Sequence, residues 1–159
     1  MALDQSYMQK LSESLGMDLK LDEHGFLSLS YEERSLLLSF KESSQSFLVY
    51  IEIGALKGYN DEKVLKHLLM ANFLYSETSG GSLSYDEIHN KIGLNYIINI
   101  YNQSPDDFVA NLNAVVILAD KLSAQLLQLQ DEIEKDFIAF RDGLEQEEEP
   151  LNAMQYLQI

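Results

Sequence analysis

His24, His67 and His89 are the only imidazoles in the chain, and no two lie within the three to five residues at which paired ligands on one element share a metal. They fall in a turn, on a predicted helix and in a hairpin loop, and read as surface or structural histidines. Serine is plentiful, yet no Gly-x-Ser-x-Gly elbow is present to raise one out of a strand as a nucleophile. Ser79-Gly80-Gly81-Ser82 lacks the lysine and helix start of a phosphate loop and reads as a helix stop before a hairpin. The acids between Asp131 and Glu149 do not alternate as a calcium loop requires. With no cysteine, disulfides, thiolate metal sites and cysteine nucleophiles are excluded. The residues nominate no catalytic group, no metal and no cofactor, and a protein that is not an enzyme is expected.

The chain has 159 residues with 26 acids against 11 Lys and Arg, a formal charge of −15. Nucleic acid and anionic lipid are bound mainly through Lys and Arg, so neither is an expected partner. At 46% hydrophobic and 10% aromatic residues the chain is too apolar for acidic disorder, and one domain is predicted. Met1 to Ser6 shows neither basic nor apolar leader character, and apolar runs such as Leu68 to Leu74 fall far short of a span of ~20 residues. A cytoplasmic protein without membrane attachment is expected.

What must hold these residues is an alternation of helical and strand periods. Tyr7, Met8, Leu11 and Leu15 mark one face of a helix over Ser6 to Leu15, stopped by Gly16. Period two then sets three antiparallel strands, Phe26 to Tyr31, Ser35 to Phe40 and Phe47 to Ile53. In the third, Phe47, Val49, Ile51 and Ile53 form one face. Leu48, Tyr50 and Glu52 form the other, which is apolar enough to imply a cover. A helix over Asp61 to Tyr75 is apolar nearly all round after two turns; one sheet covers only one side, so a second copy is expected on the other.

Strands Ser82 to Tyr85 and Lys91 to Tyr101 follow. Ser104-Pro105-Asp106-Asp107 then opens a long helix with a capping box, carrying Leu112, Val115, Ala119, Leu122, Leu126, Leu129 and Ile133 and continuing to Gly143. The predicted fold class is α+β, in the order α-β-β-β-α-β-β-α. The domain is expected over residues 1–130. Residues 131–159 form an acidic helix extension and a tail in which Met154, Tyr156, Leu157 and Ile159 either dock or stay free; Asp131 to Glu149 alone carries a net −7.

Leu68-Leu69-Met70-Ala71-Asn72-Phe73-Leu74-Tyr75 followed by Gly80-Gly81 resembles the L-x-x-A-N-hydrophobic-L-x segment and Gly-containing hairpin of the class I type III secretion chaperones, the CesT (Tir chaperone) family. Lys91 to Tyr101 with Ser104-Pro105-Asp106-Asp107-Phe108 is similar to that family's last strand, turn and final helix start. The resemblance covers about residues 4 to 130 and stops short of the acidic tail. It implies a twisted antiparallel sheet packed with helices, and a cytoplasmic bacterial homodimer. It also implies that the dimer holds the N-terminal segment of one or more effector proteins extended, keeps them secretion-competent, and presents them to the secretion apparatus and its ATPase.

On that resemblance Met70, Phe73 and Leu74 are placed at the dimer seam, with Leu65, Leu68 and Leu69 left to the core. Met8, Leu11, Leu15, Leu27, Leu29, Leu48 and Tyr50 are assigned to client grooves, where alternate side chains of an added strand would sit. For Leu11 and Leu15 an intradomain core role stays equally open. The negative charge would favour clients with basic segments. A regulatory protein of the same fold, sequestering a transcriptional regulator or another secretion component, is the alternative.

Overall fold

The alternating segments pair into one antiparallel sheet: β1 (Phe26–Tyr31), β2 (Arg34–Lys41), β3 (Ser46–Gly54), β4 (Ser82–Asp86) and β5 (Lys91–Asn99) lie in the order β1-β2-β3-β5-β4. This computed structural model describes residues 3–31 and 34–147. Three helices complete it: α1 (Leu3–Leu15), α2 (Asp61–Asn72) and α3 (Pro105–Glu147). The α+β class and the element order are those predicted.

Strand periodicity decides which sheet face is buried. Phe47, Val49, Ile51 and Ile53 of β3, with Ile92, Leu94 and Ile98 of β5, are buried together with the α3 stripe Phe108, Leu112, Val115, Ala119, Leu122 and Leu126. Tyr7 joins α1 to this core: its ring meets Phe108 edge-on at 5.6 Å, and its hydroxyl donates to the carbonyl oxygens of Gln103 and Ile100 at 2.7 and 3.2 Å. The start of α3 is the predicted capping box. Ser104 Oγ accepts from the Asp107 amide at 3.1 Å, and Asp107 Oδ2 accepts from the Ser104 amide and hydroxyl at 3.0 and 2.7 Å. Those two donors hold the Asp107 carboxyl below its ordinary pKa.

By length and composition 105–143 of α3 is apolar enough to cross a membrane. In the fold its apolar stripe is spent on the sheet and α1, and mid-helix Asp120 accepts from Arg34 Nη1 at 2.7 Å.

Several bounds differ from those predicted: α1 begins at Leu3 instead of Ser6, and β5 ends at Asn99 instead of Tyr101. The second helix stops at Asn72 instead of Tyr75, and Phe73–Tyr75 form a short 3-10 turn in which Leu74 and Tyr75 have φ of 52 and 55°. Asn72 explains the stop: its side-chain amide is engaged with the backbone of β4, so the chain must leave the helix there to reach the hairpin. α3 also runs four residues past Gly143 and crosses residue 130 unbroken. Residues 148–159, with the predicted tail contacts of Met154, Tyr156, Leu157 and Ile159, lie outside the described residues.

Candidate functional site

The groups able to do chemistry stay apart. His67 Nδ1 is 2.8 Å from the Lys63 carbonyl oxygen on its own helix, His89 Nδ1 is 2.7 Å from Asp86 Oδ2, and His24 Nε2 is 3.4 Å from Glu23. Among the described residues no group of three or more His, Asp or Glu is arranged around a metal-sized site. What the fold exposes is two sheet edges and two groups of apolar side chains.

The two sheet edges differ. An edge strand presents unpaired amides and carbonyls on alternate residues. On β4 the pair at Leu83 is engaged: the Leu83 amide donates to Asn72 Oδ1 at 2.7 Å and Asn72 Nδ2 donates to the Leu83 carbonyl at 3.0 Å, while Tyr85, two residues on, faces the same way. Just before the strand, the Gly81 amide donates to the Thr78 carbonyl at 2.9 Å, and Thr78 Oγ1 donates to the Gly81 carbonyl at 2.7 Å. Asn72, in the motif that carries the family resemblance, therefore blocks this edge at Leu83. Asn72→Ala is expected to cost about 2 kcal/mol, because two partly buried backbone groups lose their partner, and to permit association through β4. Thermal melts and light scattering over a concentration series check both effects.

On β1 the first residue is engaged in the same way. The Phe26 amide donates to Asp22 Oδ1 at 2.9 Å, and the Asp22 amide donates to the Phe26 carbonyl at 2.8 Å. Phe26 therefore faces away from β2. Ser28 and Ser30, two and four residues on, face the same way, and among the described residues no further strand pairs with β1. This edge is open.

The sequence-assigned client residues divide among three environments. Met8 and Leu11 are 4 and 2% exposed and pack in the core, and Met8 also lines a groove beside α1. Leu27 and Leu29 are half-buried on the core-facing side of β1, opposite Leu38 and Leu36. Leu15 is exposed at the end of α1. Leu48 and Tyr50 lie on the other sheet face, where Phe26, Ser39, Leu48 and Ile97 form one row across β1, β2, β3 and β5. Phe26, Leu48 and Ile97 are exposed in that row.

Ser39 beneath them is buried, and its hydroxyl is the one buried side-chain polar atom without a partner among the described residues. The ring of Tyr50 lies over Gly93, where a Cβ would stand 2.1 Å from it; burial and then Glu52 push its hydroxyl pKa up. Phe26 and Ile97 were missed by sequence reasoning, although their parity with Leu48 was a usable signal.

The end of α2 forms a separate patch. Leu69, Met70, Phe73 and Leu74 are 70, 68, 71 and 80% exposed, and Tyr75 adjoins them. Leu69 is thus on this surface and not in the core, because the helix buries its Val64, Leu65 and Leu68 side. Beside the patch lies a groove of about 400 Å³ between α2 and α3, lined in part by Leu68, Met70, Ala71, Leu122, Leu126 and Leu129.

The profile of the Tir chaperone protein (CesT) family matches residues 6–123. Among solved structures, a chain of the ExsC–ExsE complex is similar at 20% identity and a TM-score of 0.69, covering 79% of this chain and 97% of its own length. A chain of the HopA1–SchA chaperone–effector complex is similar at 18% identity and 0.59, covering 77 and 91%. One from the heterodimeric ExoU–SpcU complex of the type III secretion system of Pseudomonas aeruginosa gives 20% and 0.56, covering 77 and 95%. At these identities the likeness is one of fold. No curated protein matches the chain.

Proposed function

The chain belongs to the Tir chaperone protein (CesT) family, and from that premise we propose that it is a type III secretion chaperone that binds the N-terminal segment of one or more effectors in extended form. The open β1 edge carries this reading. It offers backbone partners at Ser28 and Ser30, with the half-buried Leu27 and Leu29 on one side of the sheet and Phe26, Leu48 and Tyr50 on the other. A strand added there gains backbone hydrogen bonds and places alternate side chains on two apolar surfaces. The protein acts as a homodimer joined through the exposed end of α2, in the bacterial cytoplasm. It has no catalytic turnover, and it delivers its client to the secretion ATPase.

The test is co-expression with secreted proteins encoded beside it, followed by affinity purification, for the natural chain and for Ser28→Pro. Proline at 28 removes a donor that points away from β2, so the fold should tolerate it, while an added strand loses a hydrogen bond and meets the ring. Client retention is expected to fall at least about tenfold, one lost bond plus the clash, with an unchanged melting temperature. A client held equally by both proteins would move binding away from this edge. No retained secreted protein at all would overturn the reading.

A further inference from the structure

The groove between α2 and α3 has no part in the function proposed above. Leu68, Met70 and Ala71 stand on its α2 side and Leu122, Leu126 and Leu129 on its α3 side, around a volume of about 400 Å³. Phe73 and Leu74 do not line it, so it adjoins the exposed patch without being the same surface. Its α3 wall is built in part outside the matched family profile, since Leu126 and Leu129 lie beyond residue 123. The groove is also nearly uncharged. Its lining holds one carboxylate, Glu77, and no Lys or Arg.

One segment of this chain has the same character. Residues 150–159, Pro-Leu-Asn-Ala-Met-Gln-Tyr-Leu-Gln-Ile, contain no charged side chain, although they directly follow Glu147, Glu148 and Glu149. We propose that this segment folds back along α3 and that Tyr156, Leu157 and Ile159 occupy the α2/α3 groove of their own chain.

The reach fits. At the rise of a helix, Leu129 lies about 27 Å back along α3 from Glu147, and the stretch 148–159 spans about 40 Å when extended. Tyr156, Leu157 and Ile159 therefore come level with the end of the groove at Leu126 and Leu129. Pro150 lacks the amide that would continue α3, and its ring disfavours a helical residue before it, so the sequence favours a reversal directly after the acids.

Tethering decides between this occupant and a free one. A segment of the same chain is present at an effective concentration on the order of millimolar, far above a second copy or a client in dilute solution, so a few apolar contacts suffice to seat it. A client with a basic segment finds only Glu77 to pair with.

The chain has no cysteine, so an introduced pair reports proximity alone. Gln125→Cys/Gln158→Cys puts one thiol in the groove lining and one on the tail. Leu127→Cys/Gln158→Cys puts the first thiol at nearly the same height on the opposite side of α3. Gln125 and Leu127 are both exposed, so the fold tolerates either substitution. The full chain is treated with a short bismaleimide, and intact mass spectrometry follows the product.

The Gln125 pair is expected to close within one chain at least about tenfold faster than the Leu127 pair, as a seated tail requires and a freely sweeping one does not. The rate should not change on dilution. Tyr156→Ser/Leu157→Ser/Ile159→Ser should bring the two pairs to equal rates. Equal rates without that triple substitution, or a preference that survives it, overturn the proposal. A product that joins two chains also overturns it and assigns the groove to the tail of a second copy. Client retention plays no part in the readout, so this proposal and the chaperone reading fail separately.

Discussion

In the dimer proposed above, Phe73→Asp is expected to leave the protein monomeric. Four large apolar side chains at the end of α2, Leu69, Met70, Phe73 and Leu74, are each about two-thirds exposed or more. A contiguous patch of this kind is uncommon on a monomer's surface. Leu74 and Tyr75 hold left-handed backbone angles, each costing roughly 1–2 kcal/mol for a non-glycine residue, so the turn that displays these side chains is itself strained. Under two-fold symmetry each substitution enters the interface twice. Losing one buried Phe contact is worth about 1.5–3 kcal/mol, and placing a carboxylate there adds to it. A total near 4 kcal/mol or more raises the dimer dissociation constant about a thousandfold. Sedimentation velocity from nanomolar to micromolar protein reads this, with Met70→Glu behaving alike. Ile117→Asp, an exposed apolar site on α3, should leave the dimer intact. A dimer unaffected by Phe73→Asp reassigns the seam.

The difference between this patch and its predicted form shows where sequence reading reaches its limit. Hydrophobic period located all three helices and all five strands, because burial of one face is a local pattern repeated along an element. The capping box at Ser104 and Asp107 was equally legible, since donor and acceptor lie three residues apart. What the pattern could not carry was long-range competition for a single side chain. Asn72 reads as one polar residue in an apolar helix, yet its amide is claimed by Leu83 eleven residues on, and the helix ends there.

Met8 and Leu11 illustrate the same limit on the client side. Their spacing announces an apolar helix face but not what covers it, and in the fold α3 packs against α1 and buries both. The block at Leu83 on β4 and the outward-facing Ser28 and Ser30 on β1 were invisible for the same reason: edge status depends on what lies beside a strand in space.

Ile133→Asp is expected to destabilise the fold by about 3–4 kcal/mol, although residue 133 lies ten residues beyond the matched family profile, which ends at 123. The α3 extension is docked along one side. Ile133 is 2% exposed, Gln130 Nε2 donates to the Ala55 carbonyl at 2.9 Å, and Lys57 and Lys63 reach Asp131 and Asp136 at 2.7 and 3.5 Å. The Tyr59 and Phe137 rings lie 6.3 Å apart. The two surface ion pairs add little; the buried isoleucine is the main anchor. A carboxylate in its place loses the transfer energy of the side chain and must be desolvated, and the loss is capped at the cost of undocking the helix end.

For a chain of this size that corresponds to a fall of roughly 10 °C in melting temperature, read by circular dichroism. Phe140→Ser, on the exposed overhang, should change it by less than about 2 °C. Because the 55–63 segment leads directly into α2, undocking the extension should also weaken the dimer, so both readouts move together. Truncation after residue 130 should reproduce Ile133→Asp. If the truncated chain melts like the full one, the folded unit ends at 130 and the extension is dispensable.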